Sequence, residues 1–290
     1  MKKLVLLVLT VLSCGAAYAL PVGNPSEAGL YTNGLWWNNS CCAPCDPCFS
    51  WCDAFSVRVG FYGDYVFNRH MQIHSGGHDQ SDINNTQIYT NAGLLVLNIC
   101  DWIDIFTTLG ASDFSIFTDG GSFSSNSTMV QLDWATHWSW SVGGRATIWQ
   151  CDCFSVGVEG QYFQSNPSLD SLIRYDVGEI TYFNANNDTC YSEWQVGLGA
   201  SYRWQTGCPG VAFIPYLAVK WAGSKFNIGD FRFTEVTAPS TVYTIRDLQS
   251  KKLWGYAVGL TATLCDAIGV TVEGRFADEK AVSVTSEFRF

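Results

Sequence analysis

Hydrophobic and polar positions alternate with a period of two through most of the chain after Asp53. Ile268, Val270, Val272, Gly274 and Phe276 share one face, and Gly269, Thr271, Glu273 and Arg275 the other. After the charged stretch Ala277–Lys280, Val282, Val284, Phe288 and Phe290 alternate with Ser283, Thr285, Glu287 and Arg289. A period of two predicts strands, and two strands with a short charged connection predict a hairpin. An aromatic strand ending on Phe290 is an exposed edge in a soluble protein. In a lipid-embedded barrel it pairs with the first strand, with Val282, Val284, Phe288 and Phe290 facing hydrocarbon.

The pattern recurs upstream. Phe55, Val57, Val59, Phe61, Gly63 and Tyr65 oppose Ser56, Arg58, Gly60, Tyr62 and Asp64. Strands are expected near 87–99 and 103–116, then a long one ending near Trp149. There Trp134, Trp138, Trp140, Val142, Ala146 and Ile148 are expected outward, and His137, Ser139, Ser141, Gly143, Arg145 and Thr147 inward. Another strand starts at Phe154, with Ser155, Glu159 and Gln161 inward. Further strands are expected near 172–183, 194–204, 211–222, 225–236 and 252–264, with a weaker one at 241–247. The fold class is all-β: a transmembrane antiparallel barrel of about twelve strands, within a range of about ten to sixteen. In the best strand Trp194, Val196, Leu198, Ala200, Tyr202 and Trp204 place an apolar band between aromatic ends. Small inward residues (Gly197, Gly199, Ser201, Gly255, Ala257, Gly259, Thr261) leave room in the lumen.

Composition agrees with a membrane barrel. Charged residues are 14% of the chain and aromatic ones 15%, with 12 Trp; soluble chains carry about 25% charge. Trp and Tyr gather where an apolar surface meets water. The balance of 26 acidic to 16 basic side chains argues against a nucleic-acid partner. Lys2 and Lys3, the apolar run Leu4–Leu12 and the small-x-small site Ala17-Tyr18-Ala19 predict a signal peptide over 1–19. A lipoprotein site at Cys14 is the weaker alternative. Residues 20–52, with Pro21, Pro25, Pro44 and Pro47, form a Cys/Pro-rich segment expected in the periplasm, and 53–290 the barrel.

With Cys14 removed, eleven cysteines remain: Cys41, Cys42, Cys45, Cys48, Cys52, Cys100, Cys151, Cys153, Cys190, Cys208 and Cys265. In an exported chain they are disulfide candidates, within the chain or to neighbouring envelope proteins. The spacing from Cys42 to Cys52 superficially matches an iron–sulfur run, but export precedes cluster insertion. Structural zinc ranks above that reading and below disulfides; no metal or cofactor is expected. Counting strands from a periplasmic Cys52 puts Cys100, Cys151, Cys153, Cys190 and Cys265 at periplasmic turns. Cys208 falls outside unless one strand fewer precedes it.

The chain resembles the chlamydial major outer membrane porin family, as a shorter member. The motifs that carry this are Leu20-Pro21-Val22-Gly23-Asn24-Pro25, Cys45-Asp46-Pro47-Cys48, Trp51-Cys52-Asp53-Ala54, Arg58-Val59-Gly60, Tyr62-Gly63-Asp64, Trp140-Ser141-Val142-Gly143, Glu193-Trp194-Gln195, Val219-Lys220-Trp221 and the ending Phe288-Arg289-Phe290. The resemblance implies a barrel porin, often trimeric, in a disulfide-cross-linked envelope. Phe288 and Phe290 correspond to the aromatic mark read by the outer-membrane assembly machinery.

No catalytic constellation stands out. His70, His74 and His78 lie in a Gly-containing loop that does not fix metal geometry. The expected function is passive diffusion of small hydrophilic solutes and ions through a homo-oligomer embedded in outer-membrane lipid. Pore-lining candidates are Arg58, Asp64, His137, Arg145, Glu159, Arg203, Glu273, Arg275, Glu287 and Arg289, and their mixed signs imply weak ion selectivity. The alternative is a structural or adhesive protein with a plugged barrel.

Overall fold

A computed structural model describes residues 20–35, 54–74, 83–119, 129–176, 179–207, 210–228, 231–234 and 242–290. The expected signal peptide, Cys41, Cys42, Cys45, Cys48, Cys52, His78 and Cys208 lie outside these residues. Ten antiparallel strands close into a ring. They are β1 (Phe55–Arg69), β2 (Asn85–Ile99), β3 (Ile103–Asp119), β4 (Met129–Cys151), β5 (Phe154–Ser165), β6 (Cys190–Tyr202), β7 (Val211–Asn227), β8 (Trp254–Leu264), β9 (Ile268–Phe276) and β10 (Glu279–Arg289). Each pairs with the next, and β10 closes on β1 from Arg58↔Arg289 to Arg69↔Glu279.

Ten is the lower bound of the expected range, because two expected spanning strands stay out of the ring. Residues 172–183 fall in a hairpin, Ser168–Asp176 with Glu179–Asp188, that pairs with the far part of β4. The 225–236 stretch divides. Its start extends β7 to Asn227, and Phe231–Thr234 pairs with Val242–Ile245 as a separate ribbon. At 23 residues, β4 greatly exceeds the ~9–11 that a spanning strand needs. Period-two alternation does not distinguish a strand in lipid from its continuation beyond it.

Short turns join β2 to β3, β4 to β5 and β8 to β9 at one end; at the other, the connections are long except for residues 277–278 between β9 and β10. At the turn end, Cys100 (φ 54°), Asp101 (φ 59°), Cys265 (φ 54°) and Asp266 (φ 52°) are all left-handed. Paired positive φ values match the twist of hairpin strands, and Asp tolerates them better than most residues. Short turns face the periplasm in outer-membrane barrels. Because the 168–188 hairpin does not span, Cys190 begins β6 at the loop end, not at a periplasmic turn. The connection carrying Cys208 runs from β6 to β7 at the turn end.

The outward faces are apolar all round; Leu109 and Leu217 are more than 60% exposed. On three adjacent strands Trp194, Trp221 and Trp254 form a row near the loop end, with ring centroids 5.0 and 6.2 Å apart. At the turn end, Phe154 and Tyr202 touch at 4.8 Å, and Trp102, Trp149 and Trp204 are exposed. Trp194 to Tyr202 covers roughly 27 Å of strand, or roughly 20 Å of height at a ~40° tilt. That is an apolar belt between two aromatic girdles. Trp134 reverses its expected orientation. It is 2% exposed, against 54% for Trp138, because an irregularity opposite Ser112–Phe114 inserts an extra residue into β4. One inserted residue flips every side chain beyond it.

Candidate functional site

The lumen is lined by alternate residues of all ten strands, and residues 20–35 run through it. This corrects the expected periplasmic position for that part of the 20–52 segment. The strap enters at the turn end, where Asn33 N–H donates to Asp266 O (3.2 Å) and Leu35 N–H to Arg289 O (3.0 Å). A single 3-10 turn, Glu27–Gly29, lies midway. The far end reaches a loop-end apolar cluster, where Leu20 joins Val66, Met71, Phe114, Trp134, Tyr191 and Phe226.

Prolines and glycine keep the strap from forming regular structure, so its main-chain groups need partners from the wall. Glu273 receives Val22 N–H (3.0 Å), Gly23 N–H (2.9 Å) and the Tyr216 hydroxyl (2.7 Å). Gln195 Nε2 donates to Pro21 O (2.7 Å), and Asn98 Nδ2 to Ala28 O (2.9 Å). Arg145 pairs with Glu27, Arg289 donates to Tyr31 O, and the Arg58 guanidinium lies 4.7 Å over the Tyr31 ring. Small inward residues make the fit. A Cβ on Gly157 would collide with Pro25 O, one on Gly269 with the Tyr31 hydroxyl, and one on Gly197 with Val22. The room that Gly197 and Gly199 leave is occupied by the strap. Beside Gly259 the space holds Tyr216, and beside Gly255 it holds Asp278.

Buried ion pairs brace the wall. Arg58 bridges Asp104 (2.5 Å) and Glu287 (2.6 Å), with Arg145 3.6 Å from Asp104. Arg275 joins Asp64 (2.5 Å) to Glu279 (3.0 Å). Arg69 joins Glu193 (2.8 Å) to Glu279 (2.7 Å). Lys220 lies 3.3 Å from Glu279 and 3.7 Å from Asp278. In the β9–β10 connection, burial pushes the Asp278 carboxyl up to about 6, against the pull of Lys220.

Eight of the ten pore-lining candidates are thus brought together: Arg58, Asp64, Arg145, Glu159, Glu273, Arg275, Glu287 and Arg289 all point into the lumen. Arg203 instead sits at the turn end, 2.8 Å from Asp266 and partly exposed. His137 is partly exposed beside the bulge in β4, its Nδ1 3.3 Å from Trp138 O. It borders a loop-end recess with Asn166, Asp188, Thr189 and Cys190. His74 Nδ1 contacts Gln249 Oε1 (2.8 Å). Asp104, Glu193, Lys220 and Glu279 were not among the pore-lining candidates read from the sequence. The signal was available: Asp104 alternates with Ile103 and Ile105, and Lys220 with Val219 and Trp221. Cys100, Cys151, Cys153, Cys190 and Cys265 are free thiols in this structure. Phe288 faces outward on β10, and Phe290 N–H donates to Val57 O (3.1 Å) across the closing seam.

A closed ring, apolar outside and ionisable within, defines a transmembrane β-barrel of the outer-membrane type. Residues 1–80 and 121–186 match the family model described as Chlamydia major outer membrane protein. The chain belongs to that family, and its location is the outer membrane. It is 30% identical to the major outer membrane porin of Chlamydia psittaci over 398 aligned positions, covering 100% of both chains. It is 29% identical to that of Chlamydia pneumoniae over 379 positions, covering 96% of each. These alignments are longer than the 290 residues here, so the relatives carry residues that this chain lacks. Among solved structures it is similar to the outer membrane protease OmpT of Escherichia coli (TM-score 0.43, 13% identity, 82% of this chain and 97% of that one).

Proposed function

We propose that this chain is an outer-membrane porin for passive diffusion of small hydrophilic solutes and ions, with residues 20–35 as its internal constriction. The observation that carries it is the closed, polar-lined ring with an apolar belt, in a chain whose relatives are named porins. An eight-stranded barrel is filled by side chains, and the interior widens with strand number. Ten strands leave space for a strap as well as side chains. The strap is bound chiefly through hydrogen bonds and ion pairs, which water can replace, so its displacement is the opening step. Among the described residues, acidic groups outnumber basic ones along the lumen, favouring weak cation preference. The work is conduction, without catalysis. The outer-membrane lipid is one partner. A second copy of the chain, disulfide-linked envelope proteins and the assembly machinery reading Phe288 and Phe290 complete the proposal.

The filled lumen favours a second reading, a structural envelope barrel that does not conduct. Protein refolded into planar bilayers decides: stepwise conductance supports the porin, and silence across repeated reconstitutions of correctly folded protein supports the structural barrel.

A further inference from the structure

The inner end of the strap meets a buried ionic cluster whose ion pairs, among the described residues, join three basic to four acidic side chains. Leu20 N lies 3.1 Å from Glu193 Oε1, in a site where Leu20 is 5% exposed and Glu193 4%. Lys220 Nζ approaches Leu20 O at 3.4 Å. The linked charges here are Arg69, Lys220 and Arg275 against Glu193, Glu279, Asp278 and Asp64. Glu193 already receives Arg69 on Oε1 and the Tyr191 hydroxyl on Oε2 (2.5 Å). A buried carboxylate is stabilised by each positive charge placed beside it, and a main-chain amide brings one hydrogen and no charge.

We infer that cleavage after Ala19 completes this site: the new α-ammonium of Leu20 becomes the buried counter-ion of Glu193 and fastens the strap in the lumen. Hydrolysis of the Ala19–Leu20 peptide bond by water leaves a carboxylate on Ala19 and an amine on Leu20. The amine holds a proton near neutral pH and so offers three donors where the amide offered one. Leu20 is then gripped on both sides, its nitrogen by Glu193 and its carbonyl by Lys220. Its side chain meanwhile sits in the loop-end apolar cluster. The position of the cut matters because the amine must arrive at Glu193. A start two residues earlier puts the charge elsewhere and leaves Glu193 facing an uncharged amide.

This inference rests on the reading that the strap constricts the lumen, but its first test does not require conduction. The full chain is expressed with its own leader and the processed protein purified from outer membranes. A parallel form carries Gly-Ser inserted between Ala19 and Leu20. N-terminal sequencing of the uninserted form should find Leu20 first. Its folded form should react with a small amine-selective reagent at Leu20 at least tenfold more slowly than the unfolded form does. Glu193→Gln should abolish most of that protection, and so should the Gly-Ser insertion, which keeps Glu193 intact. In bilayers the inserted form should spend several-fold more time open. A first residue other than Leu20 overturns the inference, as does equal amine reactivity of folded and unfolded protein. Protection unchanged in both the Glu193→Gln and inserted forms also overturns it. If the amine is protected as expected but no form conducts, the porin reading fails and the lock stands.

Discussion

Gly197 in β6 lies flat against Val22 of the strap: a Cβ there would come within 2.6 Å of Val22 Cγ1. Leucine at this position has nowhere to go unless the strap moves. Gly197→Leu is therefore expected to raise single-channel conductance several-fold while leaving the barrel folded. Gly93 is the control. It faces outward, and a Cβ there meets nothing closer than Leu109 O at 3.9 Å, so Gly93→Leu should leave conductance unchanged.

Arg58 is fully buried between Asp104 and Glu287. Arg58→Met leaves two carboxylates facing each other, and losing one member of a buried ion set costs about 3–5 kcal/mol. The urea midpoint of the protein in lipid vesicles should fall accordingly. Arg203, paired with Asp266 at the partly exposed rim, should cost under about 1 kcal/mol on truncation to Ala.

Asp278 gives the protein a pH dependence of definite sign. Its carboxyl is raised to about 6 by burial, so folding favours the neutral form. Its stabilising contribution is present below the ordinary carboxylate value of ~4 and is lost as pH rises through about 6. Asp278→Asn should flatten the stability profile across that window. At pH 7.5 it should stabilise by on the order of 2 kcal/mol, with little change at pH 4, measured as resistance to unfolding in vesicles.

The cysteines report topology. Cys190 opens β6 at the loop end, whereas Cys100, Cys151, Cys153 and Cys265 lie at the turn end. On reduced intact cells, a membrane-impermeant maleimide should modify Cys190 and spare the other four; the reverse pattern would invert the barrel.

Much of this architecture was legible in the sequence. Alternation in β1, β6, β9 and β10 assigned the lipid and lumen faces of Val59, Leu198, Glu273 and Arg289 correctly. It misjudged Trp134, because a bulge leaves no mark in a hydropathy pattern. Counting strands exceeded the ring because the hairpin 168–188 alternates like a spanning strand while pairing beyond the belt. The strap was least legible. Residues 20–35 have no period, and their prolines suggest a loop anywhere. Their trace was in the wall instead, in Gly157, Gly197, Gly199 and Gly269. Small inward residues indicate space, and only the fold reveals that the chain's own N-terminal segment occupies it.

The central claim is a conducting barrel constricted by its own strap. The most direct measurement compares planar-bilayer conductance of the refolded processed protein with that of a form lacking residues 20–35, both checked for folding. The account predicts small, fluctuating steps from the first and larger, steady steps from the second. Equal conductance from the two, or silence from both, would contradict it.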